Sequence, residues 1–165
     1  MDSEGWVSLE RPVKTSYFEE TDVDTAEWTA FVKKNGIEKT IISFPSHPIY
    51  FYSQNGIVVE SSLNESSFHF EVYSERFQKE AELFSWRLEA LKSQSILEKN
   101  SYTHKDGSHR ANFSYFNGEK WVFEHWIGSK YNTYFLRTET PLKNDDFHRQ
   151  FIASFDLEFD ARFST

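Results

Sequence analysis

The sequence predicts an α+β fold in which a single, mostly antiparallel β-sheet carries helices on both faces, as in an α/β/α sandwich. Three observations lead to this prediction. Aromatic residues make up 18% of the 165 residues, and large flat side chains pack well across neighbouring strands. Most of the chain consists of short segments with alternating apolar residues, separated by turn dipeptides. One long segment and one short segment have helical periodicity instead.

The chain begins with an acidic arm, residues 1–23, which is followed by a predicted first helix over residues 24–35. Asp24 can cap the amino end of this helix, and Glu27 has the spacing of a capping box. Gly36 can adopt the left-handed conformation that ends a helix. The apolar residues of the segment have helical spacing and would form one stripe: Trp28, Phe31 and Val32.

The next predicted element is a strand that ends at Phe44, because Pro45 donates no backbone hydrogen bond and holds the preceding residue in an extended conformation. Asn55-Gly56 and Asn117-Gly118 are dipeptides typical of tight hairpin turns. The segment 119–127 has apolar residues on both faces, so we expect it to be central in the sheet and covered on both sides. The predicted strands span residues 38–44, 48–53, 57–60, 68–73, 96–103, 110–116, 119–127, 131–138 and 155–159.

Two further helices are predicted in the remaining segments. The longer one spans residues 75–92 and is capped by Ser74, and its charged residues, Arg87 among them, are expected to face water. The shorter one begins after Asn144 or Asp145. The apolar stripe of the longer helix is expected to cover the sheet and consists of Phe77, Ala81, Phe84, Leu88 and Leu91.

Length and charge limit the class of protein. Residues 1–165 are predicted to form a single domain, since the length is typical of one domain with its own core. Of the net charge of −8, residues 1–28 carry −6. An anionic surface repels phosphate backbones, so we predict no nucleic-acid partner. No apolar run reaches the length of a membrane span.

The absence of cysteine excludes disulfides and thiolate zinc sites. It does not decide the compartment. Two locations stay open: the cytoplasm if Met1 is the native start, and an extracytoplasmic compartment if an export signal preceded it. The sequence does not define the oligomeric state.

Four features of the sequence occur together in one superfamily. They are a strand that ends in Phe44-Pro-Ser-His-Pro48, a mid-chain helix, a tyrosine-rich strand in residues 130–137, and a segment that contains Phe147, Phe151 and Phe155. In these features, which cover about residues 38–159, the chain resembles the PsbP/DcrB-like superfamily. The resemblance implies an α/β/α sandwich around an antiparallel sheet.

The resemblance also implies a non-catalytic role. Members of the superfamily include photosystem accessory subunits, bacterial lipoproteins, secretion-effector chaperones and a nuclear-import factor that binds a small GTPase. They share no set of functional residues, so none is transferred to this chain. The sequence shows neither the export signal nor the lipid-bearing cysteine of the lipoproteins.

One predicted loop holds a candidate metal set, His104, Asp106 and His109, because two imidazoles and a carboxylate can bind a divalent metal. Asp-Gly is an ordinary turn pair, however, so we predict an exposed loop that binds no metal specifically. His69 and His125 lie on predicted strands, where packing or pairing is expected. No nucleophile elbow or phosphate loop occurs, so we predict no catalytic or cofactor-binding residues and no cofactor.

Two classes of function remain. The favoured class is a non-catalytic binding or accessory module that acts through protein–protein contact with an unknown partner. The alternative is a small-ligand-binding pocket protein or an uncharacterised enzyme, and an enzyme is the less favoured class. A cavity larger than about 300 Å³ with converging polar groups would favour the alternative, and an exposed apolar patch would favour partner binding. In the partner-binding class, the acidic arm is expected to contribute steering charges and aromatic anchors, namely Trp6, Tyr17, Phe18, Glu19 and Glu20.

Overall fold

The computed structural model describes residues 7–13, 28–53, 56–73, 82–143 and 146–159. These residues form strands and two helices in the following chain order: β1 (Val7–Val13), β2 (Trp28–Asn35), β3 (Glu38–Phe44), β4 (Ile49–Ser53), β5 (Gly56–Leu63), β6 (Ser66–Tyr73), α1 (Glu82–Ala90), β7 (Ile96–Thr103), β8 (His109–Phe116), β9 (Trp121–Gly128), β10 (Thr133–Thr140), α2 (Asp146–Ala153) and β11 (Asp156–Phe159).

The strands form two sheets. The smaller sheet has four strands in the order β1-β2-β3-β11, and the larger has seven in the order β4-β5-β6-β10-β9-β8-β7. Every pairing in both sheets is antiparallel. The predicted α+β class with antiparallel strands is therefore confirmed, and the prediction of a single sheet is wrong.

The chain changes from one sheet to the other at the proline-rich segment after β3. Phe44 is the last residue of β3, and it is fully buried. Pro45 and Pro48 are also buried, and β4 starts at Ile49 as part of the larger sheet. Because Pro45 cannot donate to a strand ladder, β3 ends there and the chain turns away. The proline break therefore separates two sheets, whereas the prediction placed both strands in one.

The seven-stranded sheet is the middle layer of the fold. One of its faces, termed the sandwich face, packs on the smaller sheet and α2. The opposite face, termed the helix face, packs on α1. The two helices thus lie on opposite faces of this sheet, as predicted, although the smaller sheet contributes more buried residues to the sandwich layer than α2 does. Large members of the sandwich layer are Trp28, Phe31, Phe44, Phe68, Phe70, Tyr134 and Phe151.

The predicted first helix is wrong for residues 28–35, which form strand β2; residues 24–27 lie outside the described residues. Gly36 has the left-handed conformation that was expected, with φ of 69°, but it turns the chain from β2 into β3. A left-handed glycine serves a hairpin turn as well as a helix end. Pairing with β3 on one side and with β1 on the other decides the outcome. Aromatic and β-branched residues such as Phe31 and Val32 suit a strand.

The predicted long helix is confirmed for α1 and packs on the sheet as expected, while residues 75–81 lie outside the described residues. Leu83 is the fully buried residue of α1, whereas Phe84 is half-buried. The ring of Phe84 stacks on that of Phe113 at a centroid distance of 5.3 Å. Arg87 does not face water as predicted, because its guanidinium is held by Glu124 on the sheet.

The arm predicted over residues 1–23 contains strand β1, for which no strand was predicted. The remaining strand predictions agree closely with the structure. The strands predicted at 38–44 and 96–103 have the bounds of β3 and β7. Strand β9 lies inside the larger sheet between β10 and β8, and residues on both of its faces are buried. The short helix is present as α2, although its proposed cap at residues 144–145 lies outside the described residues.

Candidate functional site

Strand β4 is one edge of the seven-stranded sheet and is exposed along its whole length. The side chains of Ile49, Tyr50, Phe51 and Tyr52 are between 46% and 65% exposed. Within the part of the chain that the structure describes, β4 pairs only with β5. No described strand pairs with the backbone groups on its other side, and groups of this kind can pair with a further strand. This strand is termed the β4 edge.

The opposite edge of the same sheet, β7, carries features that discourage pairing. Glu98 and Lys99 lie within it, and its pairing with β8 shifts in register between Ile96 and Glu98. Charged residues and bulges are devices by which native proteins prevent edge strands from associating. The β4 edge has no charged residue, and its pairing with β5 is regular. The β4 edge is therefore the less protected of the two.

A groove of about 540 Å³ lies between α2 and strands β7–β9, on the sandwich face. Ligand sites in proteins usually have volumes of about 300–1,000 Å³. The rings of Phe123 and His148 stack in this groove with centroids 3.8 Å apart. The polar lining includes Asn100, Asn112, Ser114 and His125, and the basic lining includes Lys143 and Arg149.

A series of hydrogen-bonded side chains leads from the loop before β8 into the groove, whose lining includes His125, Asn112 and Asn100. Arg110 donates through Nη2 to Asp106 Oδ2 at 2.9 Å and through Nη1 to His125 Nε2 at 3.2 Å. His125 Nδ1 donates to Asn112 Oδ1, and Asn112 Nδ2 donates to Asn100 Oδ1 at 2.9 Å. These five residues are termed the polar chain. They come from three neighbouring strands and one loop, so the register of β7, β8 and β9 brings them together.

The hydrogen bonds of the polar chain fix the protonation state of His125. A guanidinium can only donate, so Nε2 must accept from Arg110, and the single ring proton lies on Nδ1. Burial, together with the positive charge of Arg110, lowers the pKa of His125 to about 3. Burial alone would raise the pKa of Asp106, but hydrogen bonds from Ser108 and the charge of Arg110 lower it to about 2. At neutral pH His125 is uncharged and Asp106 is a carboxylate.

On the helix face, Glu124 attaches α1 to the sheet. Its buried carboxylate accepts from Arg87 Nε and Nη2 at 2.7 and 2.6 Å, from Tyr115 Oη at 2.7 Å and from Trp126 Nε1 at 2.9 Å. Burial alone would raise the pKa of Glu124, but the hydrogen bonds and charge of Arg87 lower it. Burial and the hydrogen bond to Glu124 raise the pKa of Tyr115 to about 12. The ion pair is thus a structural contact between helix and sheet.

A second buried carboxylate, Glu38, joins the two sheets. Its Oε1 accepts from Ser129 Oγ at 2.8 Å, from Asn132 Nδ2 at 2.9 Å and from Tyr134 Oη at 2.6 Å. Glu38 lies at the start of β3, and the three donors lie in or beside the turn between β9 and β10. Among the described residues its Oε2 has no hydrogen-bond partner. All of its donors are uncharged side chains.

His69 lies between two carboxylates on the helix face. Its Nδ1 is 2.9 Å from Glu60 Oε2, and its Nε2 is 3.0 Å from Glu71 Oε1. Burial alone would lower the pKa of His69, but the hydrogen bonds and charges of both glutamates raise it. The expectation that His69 and His125 are paired on strands is confirmed. Both ring nitrogens of His69 are engaged, so the cluster is a charge-paired contact.

The structure does not bring the candidate metal set together. His104 Nδ1 is 3.2 Å from Asp106 Oδ1, but both oxygens of Asp106 are occupied by Ser108 and Arg110. His109 belongs to β8, and its Nε2 is buried. No group of three or more side chains that could hold a metal ion is found in the described ranges. The loop is also less exposed than predicted, because Ser108 is buried against Arg110.

The arm residues expected to bind a partner lie outside the described residues, so that expectation stays a prediction: Trp6, Tyr17, Phe18, Glu19 and Glu20. The β4 edge and the polar chain were not predicted as sites. For the β4 edge a signal exists in the sequence, since four large apolar or aromatic residues follow Pro48 without an intervening charge. For the polar chain no sequence signal exists, because strand register alone joins its members.

Two antiparallel sheets with helices on opposite faces of the larger one form a PsbP-like α+β module. The fold is similar to the solution structure of cyanobacterial PsbP (CyanoP) from Synechocystis sp. PCC 6803, with a TM-score of 0.55 and 10% sequence identity over 82% of this chain and 95% of that chain. This similarity confirms a PsbP-like α+β fold, although the chain has two sheets where the resemblance implied one, and at this identity it concerns the fold alone. No protein-family model matches the chain, and no curated protein matches it.

Within the residues that the structure describes, no helix has the length and apolar character required to cross a lipid bilayer.

Proposed function

We propose that this protein is a non-catalytic accessory module that binds a protein partner by adding an extended segment of that partner to the β4 edge. The proposal rests on one observation, the exposure of Ile49, Tyr50, Phe51 and Tyr52 on an edge strand that has no charged residue. An added strand would pair with the available backbone groups of β4, and its side chains would contact the exposed aromatic residues. The PsbP-like fold supports the non-catalytic role, since the resemblance implies accessory proteins.

The side chains of β4 offer apolar contact on both faces of the sheet. Successive residues of a strand point to opposite faces, so Phe51 lies beside Val58 on one face and Tyr50 beside Val59 on the other. Both valines are buried. A partner strand placed next to β4 would therefore extend two apolar surfaces at once. Exposed apolar surface of this kind marks interaction sites in soluble proteins.

The charge of the chain indicates which partner fits. The net charge is −8, so two copies repel each other during encounter, whereas a basic partner is attracted. We therefore assign the β4 edge to an extended segment of a different protein, one with apolar residues flanked by lysine or arginine.

The test uses the full chain and a synthetic peptide of alternating lysine and valine, with an alternating glutamate–valine peptide as the control. Binding is followed by backbone amide chemical shifts and by hydrogen exchange of residues 49–53. We expect the basic peptide to shift and protect these amides and the acidic peptide to leave them unchanged. Replacing Phe51 by Thr should weaken binding by about tenfold or more, as for loss of an aromatic anchor. Tyr102→Thr on β7 is the matched control and should have no effect.

Three outcomes would overturn the proposal. The first is that neither peptide affects residues 49–53. The second is that the amides of β4 that do not bond to β5 are already protected in the free monomer, which would mean that the chain covers its own edge. The third is a stable dimer, measured by sedimentation, that dissociates in Phe51→Thr, since β4 would then be an interface between two copies.

The acidic arm is expected to assist this binding by steering the basic partner. Replacing Glu19 and Glu20 by Gln should lower the association rate and its salt dependence while leaving dissociation and stability unchanged. The matched control is the double substitution Glu89→Gln with Glu119→Gln, which removes the same charge from exposed positions elsewhere. An unchanged association rate in the arm variant, measured by stopped-flow at low salt, would assign the arm no part in binding.

A further inference from the structure

We propose that the groove between α2 and strands β7–β9 binds a small organic anion that has an apolar part. This inference is independent of partner binding at the β4 edge, which lies at the other end of the seven-stranded sheet. It rests on the orientation of the polar chain, on a buried hydroxyl in the groove lining and on the side chains around the opening.

The polar chain turns hydrogen-bond donors toward the groove. Because Arg110 can only donate, His125 accepts at Nε2 and donates from Nδ1. Asn112 must then present its oxygen to His125 and its amide nitrogen to Asn100 Oδ1. The oxygen of Asn100 is thereby used, and its own amide nitrogen is left at the exposed end of the series. From Arg110 on, each member of the series donates to the next, so the series ends in a free direction for donation at Asn100. A ligand atom that accepts hydrogen bonds, such as an oxygen of an anion, would suit this end.

Ser114 provides a second donor in the groove lining. Its side chain is 4% exposed, and among the described residues its Oγ has no hydrogen-bond partner. Buried hydroxyl groups are nearly always hydrogen-bonded, so one that lines a groove without a partner indicates a ligand atom that would accept from it. By strand alternation Ser114 faces the same side of β8 as Asn112. The two groups therefore belong to one polar floor.

The charges around the groove favour an anion. Lys143 and Arg149 are exposed at its rim, and Glu98 is the carboxylate opposite them on β7. Arg149 also pairs with Asp146 at 2.6 Å, but both partners are exposed, and surface pairs of this kind are weak and can rearrange. These two basic side chains at the rim attract an anionic group.

The walls of the groove are apolar and suit the carbon part of a ligand. The stacked pair Phe123 and His148 forms one wall, and Ile152 of α2 contributes to another. A flat apolar group can lie against an aromatic wall while its acidic group reaches the donors of the floor. Benzoate has both parts and is therefore the probe for the test.

The experiment titrates benzoate into the full chain and follows backbone amide shifts, with benzyl alcohol and benzylamine as neutral and cationic analogues. We expect saturable shifts at residues 112–114, 123–125 and 148–152 with benzoate, about tenfold weaker binding of benzyl alcohol, as for loss of a charge-assisted contact, and no binding of benzylamine. Equal affinity for benzoate and benzyl alcohol, shifts confined to other regions, or the absence of saturable shifts would overturn the proposal.

Two variants assign the binding to the groove. Ser114→Ala and Lys143→Gln should each weaken benzoate binding several-fold, by about the loss expected for one hydrogen bond or one charge. Their matched controls, Ser101→Ala on the opposite side of β7 and Lys92→Gln beyond α1, should bind benzoate like the native chain. The amide spectrum shows whether each variant is folded. Unchanged benzoate affinity in both groove variants would remove the groove as the site.

Discussion

The two faces of the seven-stranded sheet each hold a fully buried glutamate, and they hold it by different means. On the helix face, Glu124 is neutralised by Arg87 and further satisfied by Tyr115 and Trp126. On the sandwich face, Glu38 is surrounded by uncharged donors from the turn between β9 and β10. Glu124 therefore connects a short helix to the sheet through an ion pair, and Glu38 connects the two sheets through hydrogen bonds from uncharged groups.

This difference reflects how much apolar contact each layer has. The sandwich layer contains many aromatic residues from both sheets and α2. Helix α1 is nine residues long, and Leu83 is its only fully buried residue in the described range. A short helix with little buried surface gains much of its attachment from a charged, bidentate contact. The same carboxylate chemistry thus adds to a small apolar contact on one face and to a large core on the other.

The sharpest test of this comparison removes the charge from each glutamate in turn. Glu124→Gln should lower the free energy of unfolding by about 3–5 kcal/mol, because it leaves the guanidinium of Arg87 on the sheet without its carboxylate. Glu38→Gln keeps an oxygen for the three neutral donors, so it should cost only about 1–3 kcal/mol, the range for one unsatisfied buried group. Urea unfolding of the two variants measures both values. Equal losses would show that charge pairing does not distinguish the faces.

The second prediction concerns the apolar contacts of α1. Leu83→Ala should cost about 2–5 kcal/mol, since it removes a fully buried side chain and leaves a cavity. Phe84→Ala should cost less than Leu83→Ala, because its ring is only half-buried and is stacked on Phe113 from one side. Thermal and urea unfolding of the two variants show which substitution lowers the free energy of unfolding more. The reverse order would mean that α1 is held through its aromatic residue and that the ion pair has a smaller share.

The third prediction, whose effect over a single pH unit is the smallest, is the opposite pH dependence of one histidine on each face. His125 has a folded pKa of about 3, below the ordinary 6.5. The unfolded chain therefore binds the proton first, and stability falls as pH falls below 6.5, by at most about 1.4 kcal/mol per pH unit from this residue. His69 has a raised pKa, so its contribution is present below pH 6.5 and is lost as pH rises through its folded pKa.

Urea unfolding across this pH range separates the two histidines. His125→Asn should reduce the fall in the free energy of unfolding as pH decreases below 6.5. His69→Gln should reduce the fall in the free energy of unfolding as pH increases above 6.5. The measured quantity is the slope of the free energy of unfolding against pH, so an overall change in stability does not obscure the result. A slope that stays the same in both variants would remove these residues as the origin of the pH dependence.

Local patterns in the sequence were enough for most of the strands. The alternation of Phe68, Phe70 and Val72 in β6, and the Asn117-Gly118 turn before β9, depend on neighbours along the chain. Strand β2 was mistaken for a helix because Trp28, Phe31 and Val32 satisfy helical spacing as well. Its pairing with β1 and β3 excludes the helix. The second sheet was missed for a related reason, since a proline break does not show on which sheet the next strand lies.

The sites were harder to predict than the fold. The polar chain exists because Asn112 is registered with Asn100 on one side and with His125 on the other. Register between strands is not encoded at any single position. Arg87 was expected in water, since a charged residue on an exposed helix is usually solvated. Its partner Glu124 lies within a strand that reads as largely apolar. The exposure of β4 follows from its place at the end of the strand order, which only the assembled sheet reveals.

The pairing of β11 with β3 has a consequence for synthesis of the chain. Strand β3 lies near the start of the described chain, and β11 is the last described strand, so their ladder spans nearly all of it. Long-range contacts of this kind form slowly, and unpaired strand edges of incomplete chains are prone to aggregate. While the chain is being translated, the outer side of β3 stays unpaired until Asp156–Phe159 has left the ribosome. Nascent chains that stall before Asp156 are therefore expected to associate with one another, which light scattering of a truncated chain would measure.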